Sequence, residues 1–420
     1  MLLSGLAGKS TIPWTWNSFA EYLDAIDAAR PSVNACSYVG LGTVRNYVMG
    51  MVNRPPEPAE LEDMRALVAE AMEQGARGIS AGLIYTPNKY QSTEELVALA
   101  RVAAAYDGIF DVHMRNESDS MAEALDEVIR IGRESGIRVL VTHFKCRGKA
   151  NWGKAEAMLS KVDAARAEGI DVTIAQYPYA ANSTLMHVLV PPWYHQRGMK
   201  GLLEALEHER EAVKRDMLST EGWENFSQVM GWENIVVSSV ESRENAWCEG
   251  LSLVEIARRR NVDVRDAACD LLLQENLAVG LIGFGMSEKD VVTIMRHGAM
   301  CVITDGLLSG SKPHPRAYAA YPRLLARYVR EKNVLGLEEA VRRMSYAGAQ
   351  RLRLPRKGLL LPGWDADIVV FDEDKVCDRN SFENPLIPPQ GIDFVLVNGA
   401  LVVEAGRHTG ARPGRVIRGR

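Results

Sequence analysis

The sequence predicts an α/β protein built on a (β/α)8 TIM-type barrel, with a small β module following it. Short apolar runs alternate with stretches of helical periodicity over most of the chain, and that alternation makes a parallel sheet covered by helices. At 420 residues the chain has the length of one large barrel with an appendage. No GxGxxG or GxxxxGK[ST] motif follows any strand-like run, which sets the barrel above an open, nucleotide-binding sheet.

The elements follow in order. Residues 32–39 form an apolar run leading into the turn-like GLGT, residues 60–74 have helical periodicity, and residues 76–83 (ARGISAGL) read as a short strand. Thr93 is placed to cap a helix reaching about Tyr106, with Glu94 and Glu95 suiting its positive N-terminal dipole. Strands are predicted at 109–115 (IFDVHMR), 137–144 (IRVLVTHF) and 170–176, with helices over 121–134 and 154–168 ended by Gly136 and Gly169. Less regular sequence runs to Trp232, after which strand-like runs return at 235–240, 279–284 and 300–304. From about Gly358 the pattern shifts to short strands joined by turns, in GLLLPGWDADIVVFD and FVLVNGALVVEAG. The Asn398-Gly399 pair inside the second is a hairpin signal. The expected division is therefore a barrel over 1–357 and a β module over 358–420.

Composition narrows the function classes. Hydrophobic residues make up 47% and charged residues 25%, the balance of an ordinary globular protein. A net charge of −5 provides no global basic field for nucleic acid, and the basic tail ARPGRVIRGR is read as a solvated terminus. The longest uncharged run, 172–196, holds three prolines, Asn182, Ser183, Thr184 and His187, so no membrane span is expected. Six cysteines without CxxC spacing read as reduced thiols of a cytoplasmic protein, and no signal peptide is evident.

Among eight histidines, two close apolar strands: His113 ends IFDVH and His143 ends IRVLVTH. In a barrel the C-terminal strand ends carry the active site, so two histidines on consecutive strands can converge on one metal ion. A single strand-end histidine is more often a hydrogen-bonded structural residue; the matched pair is what points to a metal. Lys145 lies two residues beyond His143, on the same face if the strand continues, where it reads either as a holder of a substrate carboxylate or as a solvent-facing lysine. Asp305 ends AMCVITD before Gly306 and suits a general base, a metal ligand or an ordinary turn aspartate. Arg316, in His314-Pro315-Arg316, has the geometry to clamp a carboxylate. Tyr177, Tyr179 and Ser183 offer hydroxyls within an uncharged segment that reads as a pocket wall or as packed core.

The motifs HMRNES (113–118), THFKCRGKANWGK (142–154), YPYAANSTL (177–185), ITDG (303–306) with PHPR (313–316), and PGWDADIVVFD (362–372) resemble, in order, the N-acyl-D-amino-acid deacylases (D-aminoacylases) of the metal-dependent amidohydrolase superfamily. The resemblance runs from about Trp14 to the C-terminus. It implies a (β/α)8 barrel of the amidohydrolase type with a β-sandwich part, a Zn²⁺ cofactor, and hydrolysis of the amide of a small-molecule N-acyl-D-amino acid. By the same resemblance His113 and His143 are zinc ligands and Asp305 is the catalytic acid/base. Lys145, Tyr177, Ser183 and Arg316 contact the substrate carboxylate, and Tyr85 (GLIYTP) and Met286 (GFGMSE) line the pocket.

The family pattern also contains N-terminal sandwich strands, a strand ending in His-x-His, and a zinc-ligand cysteine in an Asn-Cys-Gly-like turn. Here the first histidine is His113, Cys36 stands in a later strand of the pattern, and Leu41 occupies a position where the family usually has histidine. The expectation drawn from this is a chain that enters the barrel after its first two strands, with an insertion near 181–252. The alternatives to a zinc-dependent deacylase are a catalytically inactive relative lacking those ligands and a non-hydrolytic small-molecule binding module.

Overall fold

The computed structural model describes residues 14–419. Strands β1 (Val39–Gly40), β2 (Gly78–Gly82), β3 (Ile109–His113), β4 (Arg138–Val141) and β5 (Val172–Gln176) lie side by side in chain order, all parallel. The chain then leaves the sheet to form β6 (Asn182–Leu185), β7 (Ile235–Ser239) and β8 (Gly280–Gly283). It returns as β9 (Met300–Val302), parallel to β5. The described residues thus build six parallel strands of a (β/α)8-type barrel, with β1 and β9 at the two ends of the sheet.

Local chemistry explains the helices between the strands. Glu57 and Glu60 form a reciprocal capping box for the helix Pro58–Glu73, and proline at its first position costs no hydrogen bond. Ser92, one residue before the expected cap at Thr93, accepts from the backbone N–H of Glu95 and starts the helix Thr93–Ala105. Gly136 takes a left-handed conformation (φ 73°) that ends Met121–Ser135. Two readings change at the start of the chain. Of the 32–39 run only Val39 is strand, continued by Gly40, and GLGT is not a turn: Gly40 caps the helix Leu41–Met49 and Leu41, Gly42 and Thr43 begin it, with Leu41 and Val44 buried.

The segment leaving the barrel has its own core. β6, β8 and β7 form an antiparallel three-stranded sheet in that order, packed with Met186, Leu202, Leu206, Ile235, Leu272 and Leu281. The runs at 235–240 and 279–284 are therefore not barrel strands. Apolar periodicity is the same for a strand buried in a barrel and for one buried in a satellite sheet; the antiparallel pairing of β8 with Asn182–Leu185 decides the matter. This sheet reaches Gly283, past the expected limit of the insertion near 252, and the stretch before Trp232 contains the helices Gly198–His208 and Arg210–Asp216.

Strands β10 (Ile368–Phe371), β11 (Ile392–Val397), β12 (Ala400–Glu404) and β13 (Arg407–His408) form one antiparallel sheet in chain order. Its central hairpin pairs Val397 with Ala400 across Asn398 (φ 49°) and Gly399 (φ 82°), the positive φ values a two-residue turn of this kind demands. The basic tail does not project into solvent. It runs back beneath the barrel, where Ala35 N–H donates to Arg415 O (3.0 Å), Ile417 N–H to Ala35 O (2.7 Å) and Gly419 N–H to Gly75 O (2.8 Å), while Arg418 pairs with Asp24 at 2.5 Å. No helix among the described residues is long and apolar enough to cross a membrane. All six cysteines are free, four of them buried.

Candidate active site

Parallel strands bring all their C-terminal ends to one side, and the candidate residues stand there. His113 is the last residue of β3, in register with Gly82 of β2. β4 stops at Val141, so His143 lies beyond the strand rather than closing it. It is held between its neighbours because Thr142 N–H donates to Val112 O (3.0 Å) and Phe144 N–H to Ala175 O (2.8 Å). His143 has φ 36° and Asp305, three residues past the end of β9, has φ 46°. Positive φ outside glycine is uncommon, and its recurrence at two strand ends facing one cavity marks a site where geometry outweighs local preference.

The two imidazoles meet. His113 Nδ1 is 3.0 Å from His143 Nε2, with the rings edge to face. Behind them stands Glu117, four residues after His113 and fully buried. Its Oε1 is 3.0 Å from His143 Nδ1 and its Oε2 is 3.6 Å from His113 Nε2. His113, Glu117 and His143 are the group of side chains among the described residues whose donor atoms cluster tightly enough to hold a metal ion. His113 Nε2 is buried without a hydrogen-bond partner.

Glu117 is also the centre of a buried charge network. Lys145 Nζ donates to its Oε1 at 2.6 Å and Arg147 to its Oε2 at 2.6 Å. Arg147 reaches on to Glu224 at 3.0 Å, and its guanidinium lies 3.9 Å from the centre of the Phe226 ring. Two carboxylates and two cations leave this quartet neutral, the condition under which charges tolerate burial. Burial alone would raise the Glu117 carboxyl, but the surrounding positive groups outweigh it and hold it well below the usual carboxylate range. Burial lowers Lys145 to about 8, against the attraction of Glu117, and pushes His113 well below the ordinary histidine value.

An open cavity of about 760 Å³ lies over these residues, bounded by His113, His143, Lys145, Tyr85, Ser183 and Asp305 among others. Tyr85 donates to or accepts from Thr184 Oγ1 at 2.8 Å, and its ring meets His113 edge-on at 5.4 Å. Asp305 is about one-third exposed and ion-paired with Arg316 at 2.7 Å. Arg316 is itself buried, with its guanidinium 4.3 Å from the centre of the Tyr177 ring. Met286 does not reach the cavity wall; its sulfur lies behind Tyr177, 3.9 Å from the hydroxyl. Lys145 and Arg316 thus each have a carboxylate partner inside the protein. The convergence of Lys145 with His143, whose Nδ1 is 2.7 Å from Nζ, comes from the loop after β4 and not from strand alternation.

Glu117, Arg147 and Glu224 carry no assigned role in the sequence reading. Glu117 and Arg147 sit inside the quoted motifs, and the four-residue spacing of Glu117 from a strand-end histidine was the available signal. Glu224 lies 77 residues from Arg147, and nothing local links the two.

Comparison with known proteins agrees with this architecture. The Amidohydrolase family profile matches residues 274–403. The chain is 37% identical over 399 residues to the N-acyl-D-glutamate deacylase of Alcaligenes xylosoxydans xylosoxydans, covering 95% of this chain and 72% of that protein. It is 34% identical over 410 residues to the D-aminoacylase of the same organism, covering 96% and 74%. The crystal structure of N-acyl-D-glutamate deacylase from Bordetella bronchiseptica, complexed with zinc and a phosphonate mimic of the tetrahedral intermediate, superposes with a TM-score of 0.82 at 33% identity, over 99% of this chain and 78% of that one. At 37% and 34% identity over 95–96% of its length, the chain belongs to the N-acyl-D-amino-acid deacylase (D-aminoacylase) family of amidohydrolases.

Proposed function

We propose that this protein is a zinc-dependent hydrolase cleaving the amide bond of small N-acyl-D-amino acids to a D-amino acid and a carboxylate. The observation that carries the reading is the 3.0 Å approach of His113 Nδ1 and His143 Nε2 at the mouth of a large cavity that Asp305 also lines. Two imidazole nitrogens facing each other suit zinc, which takes histidine nitrogen donors, and the buried carboxylate behind the rings adds negative charge beside the ion. When bound, zinc supplies Lewis acidity toward the scissile carbonyl and toward water.

The remaining chemistry falls to the chain's own side chains. Asp305 takes a proton from the attacking water and returns it to the amide nitrogen as the C–N bond breaks. Arg316, paired with Asp305 at 2.7 Å, holds that carboxylate over the cavity while its position against Tyr177 keeps the guanidinium fixed. Lys145 has three donors, so one beyond that directed at Glu117 serves the substrate carboxylate, with Tyr85, Tyr177 and Ser183 as hydroxyl contacts. The test is zinc per chain, together with turnover of a panel of N-acetyl-D- and N-acetyl-L-amino acids. Bound zinc with D-selective deacylation is expected; zinc-loaded protein that turns over none of the panel overturns the reading.

A further inference from the structure

Glu117 lies among the candidate metal donors, but its position behind the two rings assigns it a different part. The nitrogens facing each other, His113 Nδ1 and His143 Nε2, are 3.0 Å apart, while the outer nitrogens of both rings face the carboxylate: His143 Nδ1 at 3.0 Å and His113 Nε2 at 3.6 Å. A neutral imidazole carries one proton, so the partner of one nitrogen determines whether the other offers a lone pair. We propose that Glu117 is a positioning residue and not a ligand: it accepts the Nδ1 proton of His143 and so presents the Nε2 lone pair toward His113 Nδ1, setting the pair to share one ion. This deepens the metal reading above and rests on it.

Three further features support the assignment. The oxygens of Glu117 are already engaged, Oε1 by Lys145 and Oε2 by Arg147, both at 2.6 Å, so a metal bond would compete with two buried ion pairs. A hydrogen bond from an imidazole adds to those contacts without displacing them, because a carboxylate accepts about four hydrogen bonds in all. Arg147 is anchored in turn by Glu224 at 3.0 Å, which gives the carboxylate a fixed position through a chain of charge-assisted contacts. The competing arrangement is also defined. Lys145 Nζ lies 2.7 Å from His143 Nδ1, and a proton donated there would leave His143 protonated at Nε2 and close the pair to a metal.

The experiment uses the full chain with ¹⁵N-labelled histidine and long-range ¹H–¹⁵N spectra, the His143 signals being identified by their loss in His143→Gln. Metal-free wild type is expected to show His143 protonated at Nδ1, and added Zn²⁺ to shift Nε2 while leaving Nδ1 protonated. Glu117→Gln keeps the shape and is expected to weaken zinc binding by about 10- to 100-fold in chelator competition, the usual effect of losing such an outer-sphere carboxylate. It should leave the visible absorption of the Co²⁺-substituted protein unchanged in band position and intensity, because the ligand count is the same. A changed Co²⁺ spectrum in Glu117→Gln makes Glu117 a ligand and overturns the inference. So does His143 protonated at Nε2 in the metal-free wild type. Wild type that binds no zinc yet shows the Nδ1–H form, lost in Glu117→Gln, refutes the zinc reading alone and leaves the positioning role standing.

Discussion

At the scale of single residues, the site is a set of charges whose burial is paired at every step. Arg147 is the shared partner of Glu117 and Glu224, so its removal leaves two buried carboxylates against one lysine. Arg147→Met is expected to lose about 3–5 kcal/mol of stability, read from urea denaturation, because an uncompensated buried charge costs more than the pair contributed. Asp305 differs in being partly open to the cavity and tied by a single ion pair. Asp305→Asn leaves the buried Arg316 without its charged partner, so some loss of stability is expected, and in the folded protein it should lower kcat by at least about a hundredfold, the scale of general acid–base catalysis. Near-normal kcat in a folded Asp305→Asn protein would remove that residue from the chemistry.

At the scale of elements, the strands hold the histidines in place through close backbone approaches. Gly78 opens β2 at φ 156°, and a Cβ there would lie 2.1 Å from the carbonyl oxygen of Ile109 on β3. Gly78→Ala therefore forces apart the strand pair that carries His113 and is expected to cost on the order of 3 kcal/mol, the upper end of overpacking penalties. A thermal melt and zinc binding should fall together in this variant. In the satellite unit, His195 is buried against Val190 O, and burial lowers it to about 4. Its pKa is depressed in the folded state, so between about 6.5 and 4 the unfolded chain binds the extra proton and stability falls as pH drops, by up to about 1.4 kcal/mol per unit. His195→Gln should flatten the stability–pH curve over that window and leave it unchanged above neutral pH.

At the scale of the whole molecule, residues 411–419 act as a strap. They tie Pro31, Ala35 and Gly75 to the C-terminal sheet through four backbone hydrogen bonds, donated by Ala35, Gly414, Ile417 and Gly419. Removing residues 411–420 is expected to lower stability by about 2 kcal/mol or more, at roughly 0.5–1.5 kcal/mol for each bond, and to lower Tm. The strap lies at the N-terminal ends of the strands, away from the histidines, so zinc affinity of the folded remainder should be retained. An unchanged melt would show that the tail contacts add nothing.

What was legible without coordinates is what short-range chemistry dictates. The alternation of apolar runs and helical periodicity gives β2 to β5 and the helices between them. The Asn398-Gly399 turn gives its hairpin, and the apolar runs that lead into His113 and His143 bring the two imidazoles to the same side of the sheet. Tertiary structure decided the rest, because each remaining feature depends on partners far apart in the chain. β7 and β8 have the same apolar signature as barrel strands, and only their antiparallel pairing with β6 places them in a second core. The tail's charges read as solvated until Asp24, Ala35 and Gly75 are brought beneath the sheet. The buried quartet of Glu117, Lys145, Arg147 and Glu224 forms only when the loop after β4 meets a residue of the satellite unit, since a charge's partner, unlike a helix cap, need not be near it in sequence.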